Sequence, residues 1–131
     1  MVLTPYGLHV IIRAMTWTVL LHPEFQVEFD GFPRVVRLEL LARLKVLEWK
    51  GPQLGLPTVD TLKGSSFAKM KELRFQEGGG VWRFAFAFDP RRAAIVLCGA
   101  NKQGLDQKSF YKRLIEKADS RFAAYIASMK K

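Results

Sequence analysis

The 131-residue sequence predicts an α+β fold in the order β-α-α-β-β-β-α: an antiparallel sheet with a helix pair and a C-terminal helix. Three patterns lead there. Trp82, Phe84, Phe86 and Phe88 alternate with Val81, Arg83, Ala85 and Ala87, the period of a strand with one buried face. Val36, Leu40, Leu44 and Leu47, joined by Leu41, recur at spacings of three and four through Trp49, the period of an amphipathic helix. Tyr111, Leu114, Ile115, Ala118, Phe122, Tyr125, Ile126 and Met129 do the same over a longer helix, about Gln107 to Met129, with Asp106 as its N-cap.

The elements follow in order. Residues 1–14 read as an N-terminal extension ahead of a start at Met15, because Pro5-Tyr6-Gly7 interrupts them and Arg13 sits at the wrong end for a secretion signal. Residues 15–131 then form a single domain. A strand over Trp17 to Leu21 leads through His22-Pro23 into a short helix, Glu24 to Asp30, stopped by Gly31. Pro33 opens the second helix, which Gly51-Pro52 ends, and Gly51 to Gly64 reads as a loop. Lys69 to Phe75, Val81 to Phe88 and Ala93 to Cys98 are three strands joined by short turns at Gly78-Gly79-Gly80 and Asp89-Pro90-Arg91, which argues for an antiparallel meander.

Composition bounds the function. At 49% hydrophobic and 25% charged, the chain has the makings of one ordinary core and is not a disordered polymer. No apolar run reaches the roughly 18 residues of a membrane-spanning helix, so no membrane association is expected. The single Cys98 makes no internal disulfide and reads as a buried strand residue, which points to a reducing, cytoplasmic location. No His, Asp or Glu cluster has metal-ligand spacing, and no cofactor is expected; His22 reads as structural. The net charge of +9 favours a polyanionic or acidic partner, and a net seven of those nine charges fall in residues 91–131.

Strand periodicity singles out two arginines. With Trp82 and Phe84 facing the core, Arg83 faces the other side of the sheet; with Leu73 and Phe75 in the core, so does Arg74. Two adjacent guanidiniums need a counter-anion, and phosphate fits their donor fork. Pairing of Arg74 with Glu72 or Asp89 is the alternative. The small Ala85 and Ala87 are expected to leave this face open beside Arg83.

These residues resemble a known family. Leu62-Lys63-Gly64, Glu72-Leu73-Arg74 and Val81-Trp82-Arg83-Phe84-Ala85-Phe86 are similar to the L-x-G, E-L-R and Y-R-hydrophobic run of RelE/ParE-superfamily toxins. Gly99-Ala100-Asn101-Lys102-Gln103-Gly104, Phe110-Tyr111 and Ala118-Asp119 resemble the G-G-D-K-S-G, F-Y and A-D pattern of its phage-derived, HigB-like branch. The resemblance runs from about Trp17 to Ile126.

It implies a RelE-like fold and the toxin of a type II toxin–antitoxin pair: a ribosome-dependent endoribonuclease, an mRNA interferase acting without metal, restrained by a helix-turn-helix antitoxin. A non-catalytic toxin, a ParE-like gyrase poison or an inactive phage remnant, is the alternative. By resemblance Arg74, Arg83, Lys102 and Tyr111 are the catalytic candidates; Lys69, Lys71, Lys108 and Lys112 are the candidate RNA contacts, with Lys69 and Lys71 out of phase with the face that carries Met70 and Glu72. The partners implied are the antitoxin, the ribosome and mRNA; monomer and homodimer both stay open. Two departures stand out: Met70 and Glu72 occupy positions where RelE proteins carry lysines, and Gln103 replaces the second basic residue of a Lys-Lys pair.

Overall fold

A computed structural model describes Val2–Leu3, His9–Val10 and residues 16–130. Strands β1 (Val2–Leu3) and β2 (His9–Val10) pair antiparallel with one another. The rest of residues 1–14, and with it the expected start at Met15, lies outside the described residues. From there the order is β3 (Thr18–Leu21), α1 (Pro23–Asp30), α2 (Arg34–Lys50), a 3-10 turn at Gly51–Gln53, β4 (Val59–Thr61), β5 (Met70–Glu77), β6 (Gly80–Phe88), β7 (Ala93–Asn101) and α3 (Gln107–Met129).

The sheet runs β3-β7-β6-β5-β4. Strands β5, β6 and β7 form the expected meander, and β3 adds parallel to β7, returning beneath the helix pair. Strand β4 corrects the reading of Gly51 to Gly64 as loop throughout: Val59, Asp60 and Thr61 pair with Leu73, Glu72 and Lys71. Three residues are too few for an alternation to stand out against a Gly/Pro-rich background.

Two cores flank the sheet. On one face Phe25 and Phe29 of α1 and Val36, Leu40, Leu44 and Leu47 of α2 pack on Leu73, Phe75, Trp82, Phe84, Phe86 and Phe88. Leu41 and Trp49, drawn into that stripe by spacing, are instead 46% and 66% exposed: they sit on the flank of α2, beyond the width of the sheet contact. On the other face Phe110, Leu114, Ala118 and Phe122 of α3 pack on Met70, Ala85, Ala87, Ile95 and Leu97. Ala85 and Ala87 therefore do not leave that face open; their small side chains let the helix lie directly on the strands, and both are fully buried. A bulge between Ala85 and Phe86 turns the consecutive Leu97 and Cys98 both toward α3.

Local chemistry sets the ends of these elements. His22 Nδ1 accepts the Glu24 backbone N–H at 3.1 Å, capping α1, and Pro23 takes the first helical position. Asp106 caps α3 by accepting the Ser109 N–H at 2.9 Å. Gly78 (φ 60°) and Gly79 (φ 79°) close the β5–β6 hairpin in a two-residue turn with both central residues left-handed, the form whose twist matches the strands.

Polar clamps hold helix α3 besides its apolar stripe. Asp119 accepts Ser65 Oγ (2.5 Å) and the Ser66 N–H (2.8 Å). Arg121, 9% exposed, donates to Glu24, to both oxygens of Glu28, and to the Leu97 carbonyl at 2.7 Å. Tyr125 donates to Asp89 at 2.6 Å, while the other Asp89 oxygen accepts the Arg91 and Ala93 N–H groups.

Candidate functional site

In the β5–β6 ladder Arg74 is the direct cross-strand partner of Arg83. Both lie on the α3 face, as period two requires, because Leu73, Phe75, Trp82 and Phe84 all enter the opposite core. The pair sits at the edge of the area that α3 covers, and both side chains are half-buried.

Their surroundings differ. Arg74 Nη1 lies 3.4 Å from Glu72 and 3.8 Å from Asp60, with Nε donating to the Pro57 carbonyl at 3.4 Å. Pairing with Glu72 is thus formed. Pairing with Asp89 is not, since that carboxylate is occupied by its own turn and by Tyr125. Arg83 is held by neutral acceptors: Nε donates to Tyr111 Oη at 3.3 Å and Nη1 to the Trp82 carbonyl at 3.0 Å. Among the described residues no carboxylate lies within ion-pair distance of Arg83. Two like charges facing one another repel, and the counter-charge present serves only Arg74.

Tyr111 and Lys102 complete the group. The first turns of α3 bring the half-buried Tyr111 over the end of the sheet. Lys102, just beyond β7, sets its ammonium 5.5 Å from the centre of the Tyr111 ring and 3.5 Å from Gln107 Oε1. Its backbone N–H bonds the Val81 carbonyl, and Asn101 Oδ1 accepts the Val81 and Gln103 N–H groups, so the end of β7 is fixed to β6. Burial first, and then the Glu72 carboxylate, push the Tyr111 phenol above its ordinary pKa; Arg83 pulls the other way and is outweighed.

The structure thus brings Arg74, Arg83, Lys102 and Tyr111 into one neighbourhood. The candidate RNA contacts divide. Lys108 and Lys112 are exposed and, four residues apart, share one helix face; Lys108 is also three residues from Tyr111 and so neighbours it, whereas Lys112 points away from it. Lys69 is exposed in the turn before β5. Lys71 is apart from the group: it pairs across from Phe86, on the α2 side of the sheet, and its ammonium donates to Thr61 Oγ1 at 3.1 Å. Glu72 is the member that reading by residue type passed over. It is 4% exposed, lies beside Arg74 and Tyr111, and its Oε2 has no hydrogen-bond partner. The signal was present in the sequence, since Glu72 shares phase with Arg74.

Elsewhere, a cleft of about 300 Å³ runs between the end of β7 and α3, lined by Cys98, Ala100, Leu105, Phe110, Arg113 and Lys117. Cys98 is buried there, and desolvation pushes its thiol up to about 12. Among the described residues no group of three or more His, Cys, Asp or Glu side chains is placed to hold a metal ion, and no helix is long and apolar enough to cross a membrane.

Comparison with known proteins converges on one group. Residues 27–123 match the family model described as phage derived protein Gp49-like (DUF891). The chain is 42% identical over 99 residues to HigB2 of Mycobacterium tuberculosis, named as a candidate toxin, covering 75% of this chain and 49% of that protein. It is 39% identical over 110 residues to HigB3 of the same organism, also named as a candidate toxin, covering 84% of this chain and 94% of that one. The chain therefore spans about half the length of the first relative and nearly all of the second. In fold it is similar to a variant of the Escherichia coli toxin RelE in the free state, with a TM-score of 0.55, 12% identity, and coverage of 79% of this chain and 97% of that one.

Proposed function

The chain belongs to the phage-derived Gp49-like family, homologous to HigB toxins and RelE-like in fold, and from that premise we propose that it is the toxin of a toxin–antitoxin pair, an endoribonuclease that cuts mRNA on the ribosome. The observation that carries the reading is Arg83, a half-buried guanidinium held by a phenol and a carbonyl, beside Arg74 and Lys102. Such a group has its strongest interaction in reserve for an incoming anion.

The chemistry is attack of a ribose 2′-hydroxyl on the adjacent phosphate, giving a 2′,3′-cyclic phosphate and a free 5′-hydroxyl. Arg83 binds the non-bridging oxygens, where charge grows in the transition state, and Arg74 adds to the same field from the facing strand. Lys102 donates a proton to the departing 5′-oxygen. Lys108 and Lys112 hold the flanking backbone, and the ribosome presents the strand in register. The partners in this reading are the ribosome with its mRNA and a helix-turn-helix antitoxin, all in the cytoplasm.

Expression in a bacterial host, with transcript 5′ ends mapped, tests it. New ends within codons are expected, lost in Arg83→Ala by roughly 100-fold or more, the usual cost of a charge-stabilising donor. Arg74→Ala should cost less, since its charge is already partly met by Glu72 and Asp60. Unchanged transcripts with DNA breaks would instead assign a gyrase poison. Unchanged transcripts without breaks would assign a non-catalytic module.

A further inference from the structure

Glu72 is a buried acid with an oxygen that no side chain or backbone group among the described residues uses. Its Oε1 meets Arg74 Nη1 at 3.4 Å, while Oε2 is sealed from solvent and has no hydrogen-bond partner. A lone buried carboxylate oxygen costs free energy in the resting protein, so its persistence calls for a use. The group nearest in chemistry is the Tyr111 phenol. Arg83 Nε already donates to Tyr111 Oη at 3.3 Å, which occupies an acceptor direction of that oxygen and leaves its O–H to point elsewhere. Glu72 shares the α3 face with Arg74 and pairs across from Ala85, under the helix that carries Tyr111, and its carboxylate pushes that phenol's pKa up.

The cleavage proposed above lacks a base. A phenol is protonated at neutral pH, and Tyr111 more firmly than most, so Tyr111 by itself has nowhere to put a second proton. We propose that Tyr111 and Glu72 form a proton relay, in which Tyr111 takes the proton of the attacking 2′-hydroxyl as it passes its own to Glu72 Oε2. This rests on the ribonuclease reading and supplies the group it leaves unnamed. The step balances: the O2′–P bond forms, the P–O5′ bond breaks, the 2′ proton ends on Tyr111 as the phenol's own proton moves to Glu72, and the 5′-oxygen takes a proton from Lys102. Exchange with solvent through the half-exposed phenol restores both groups. Tyr111 touches substrate in this scheme, whereas Glu72 acts only through it, as a positioning residue that also stores the proton. The charged groups facing the pair are Arg74 and Asp60 from β5 and β4, Arg83 from β6 and Lys102 from the end of β7.

Single-turnover cleavage by the full chain on mRNA-programmed ribosomes, measured against pH for the wild type, Glu72→Gln and Glu72→Asp, tests the relay. Glu72→Gln keeps the shape and is expected to fall about 100-fold, within the range of general base catalysis, and to lose the acidic limb of its pH profile. Glu72→Asp should recover much of the rate together with that limb. A Glu72→Gln protein that cleaves within a few-fold of wild type, or that slows without any change in the profile, overturns the relay and leaves Glu72 as a counter-ion to Arg74. Titration of phenolate absorbance gives a second readout that needs no substrate: the Tyr111 midpoint should fall in Glu72→Gln, and an unmoved midpoint also overturns the pairing. If the wild type cuts nothing on the ribosome, the ribonuclease reading fails, and the titration still decides whether the two groups are coupled.

Discussion

Removing Arg121 should loosen the whole C-terminal helix. Its guanidinium joins α3 to α1 and to the sheet at once, through Glu28, Glu24 and the Leu97 carbonyl. Arg121→Ala strands a carbonyl on a fully buried residue, leaves Glu24 without its cation and leaves Glu28 with only Lys117 at 4.0 Å. Breaking a buried pair costs about 3–5 kcal/mol, but Glu24 is 70% exposed and Glu28 31%, so both rehydrate in part and the low end, about 3 kcal/mol, is expected. For a domain of this size that corresponds to a fall in Tm on the order of 10 °C. Urea unfolding followed by tryptophan fluorescence measures it.

The pH dependence supplies a second check. Hydrogen bonding to Arg121 holds the Glu28 carboxyl below its ordinary pKa. The stability it contributes is therefore present above the unfolded-state value near 4.5 and is lost as pH falls through the lower folded-state value. The gap between wild type and Arg121→Ala should narrow over that acid window. A variant as stable as wild type at neutral pH, or a gap that stays constant in acid, would refute the reasoning.

Three further outcomes follow from packing. At Gly99 an added Cβ would stand 2.1 Å from Phe84 Cδ1, in a cluster of Phe25, Phe32, Phe75 and Trp82; Gly99→Ala should cost about 3 kcal/mol or more, while Gly55→Ala, with open space around it, should leave the urea midpoint unchanged. Cys98 should resist alkylation in the folded protein at mildly alkaline pH and react fully in denaturant, as its burial and its thiol pKa of about 12 require. Tyr125→Phe loses the bond to Asp89 and should cost about 1–2 kcal/mol at neutral pH. Because burial raises the Tyr125 phenol from 10.0 to about 12, its contribution is full below 10.0 and is lost as pH rises through about 12, a loss that stability curves of the Phe variant should lack.

What sequence patterns could reveal was whatever a local period encodes. Trp82 to Phe88 announced both the strand and its buried face, Asp106 announced the start of α3, and the phase of Arg74 and Arg83 put both on one face. What it hid was contact between distant segments. Nothing local to Ala85 and Ala87 says that a helix more than twenty residues later will lie on them, so the open face expected there is a covered one. The parallel union of β3 with β7 spans most of the domain and leaves no trace in either segment. Lys71, a candidate RNA contact, lies at an odd spacing from Arg74, and that phase alone put it on the other side of the sheet. At Glu72 the expected alternative, pairing with Arg74, is formed, and only burial exposed the idle second oxygen.

The Gly78–Gly79 turn is the ruler of this arrangement. Because the hairpin closes with two residues and no slack, the rung joining Arg74 to Arg83 is set by counting back from it. One inserted residue there would slide β6 by a step and leave each guanidinium facing the wrong partner, however well the rest of the chain folded. The distance between the two charges is thus governed by the least chemical part of the molecule. Variation in hairpin length among relatives would mark those in which the two arginines no longer face one another.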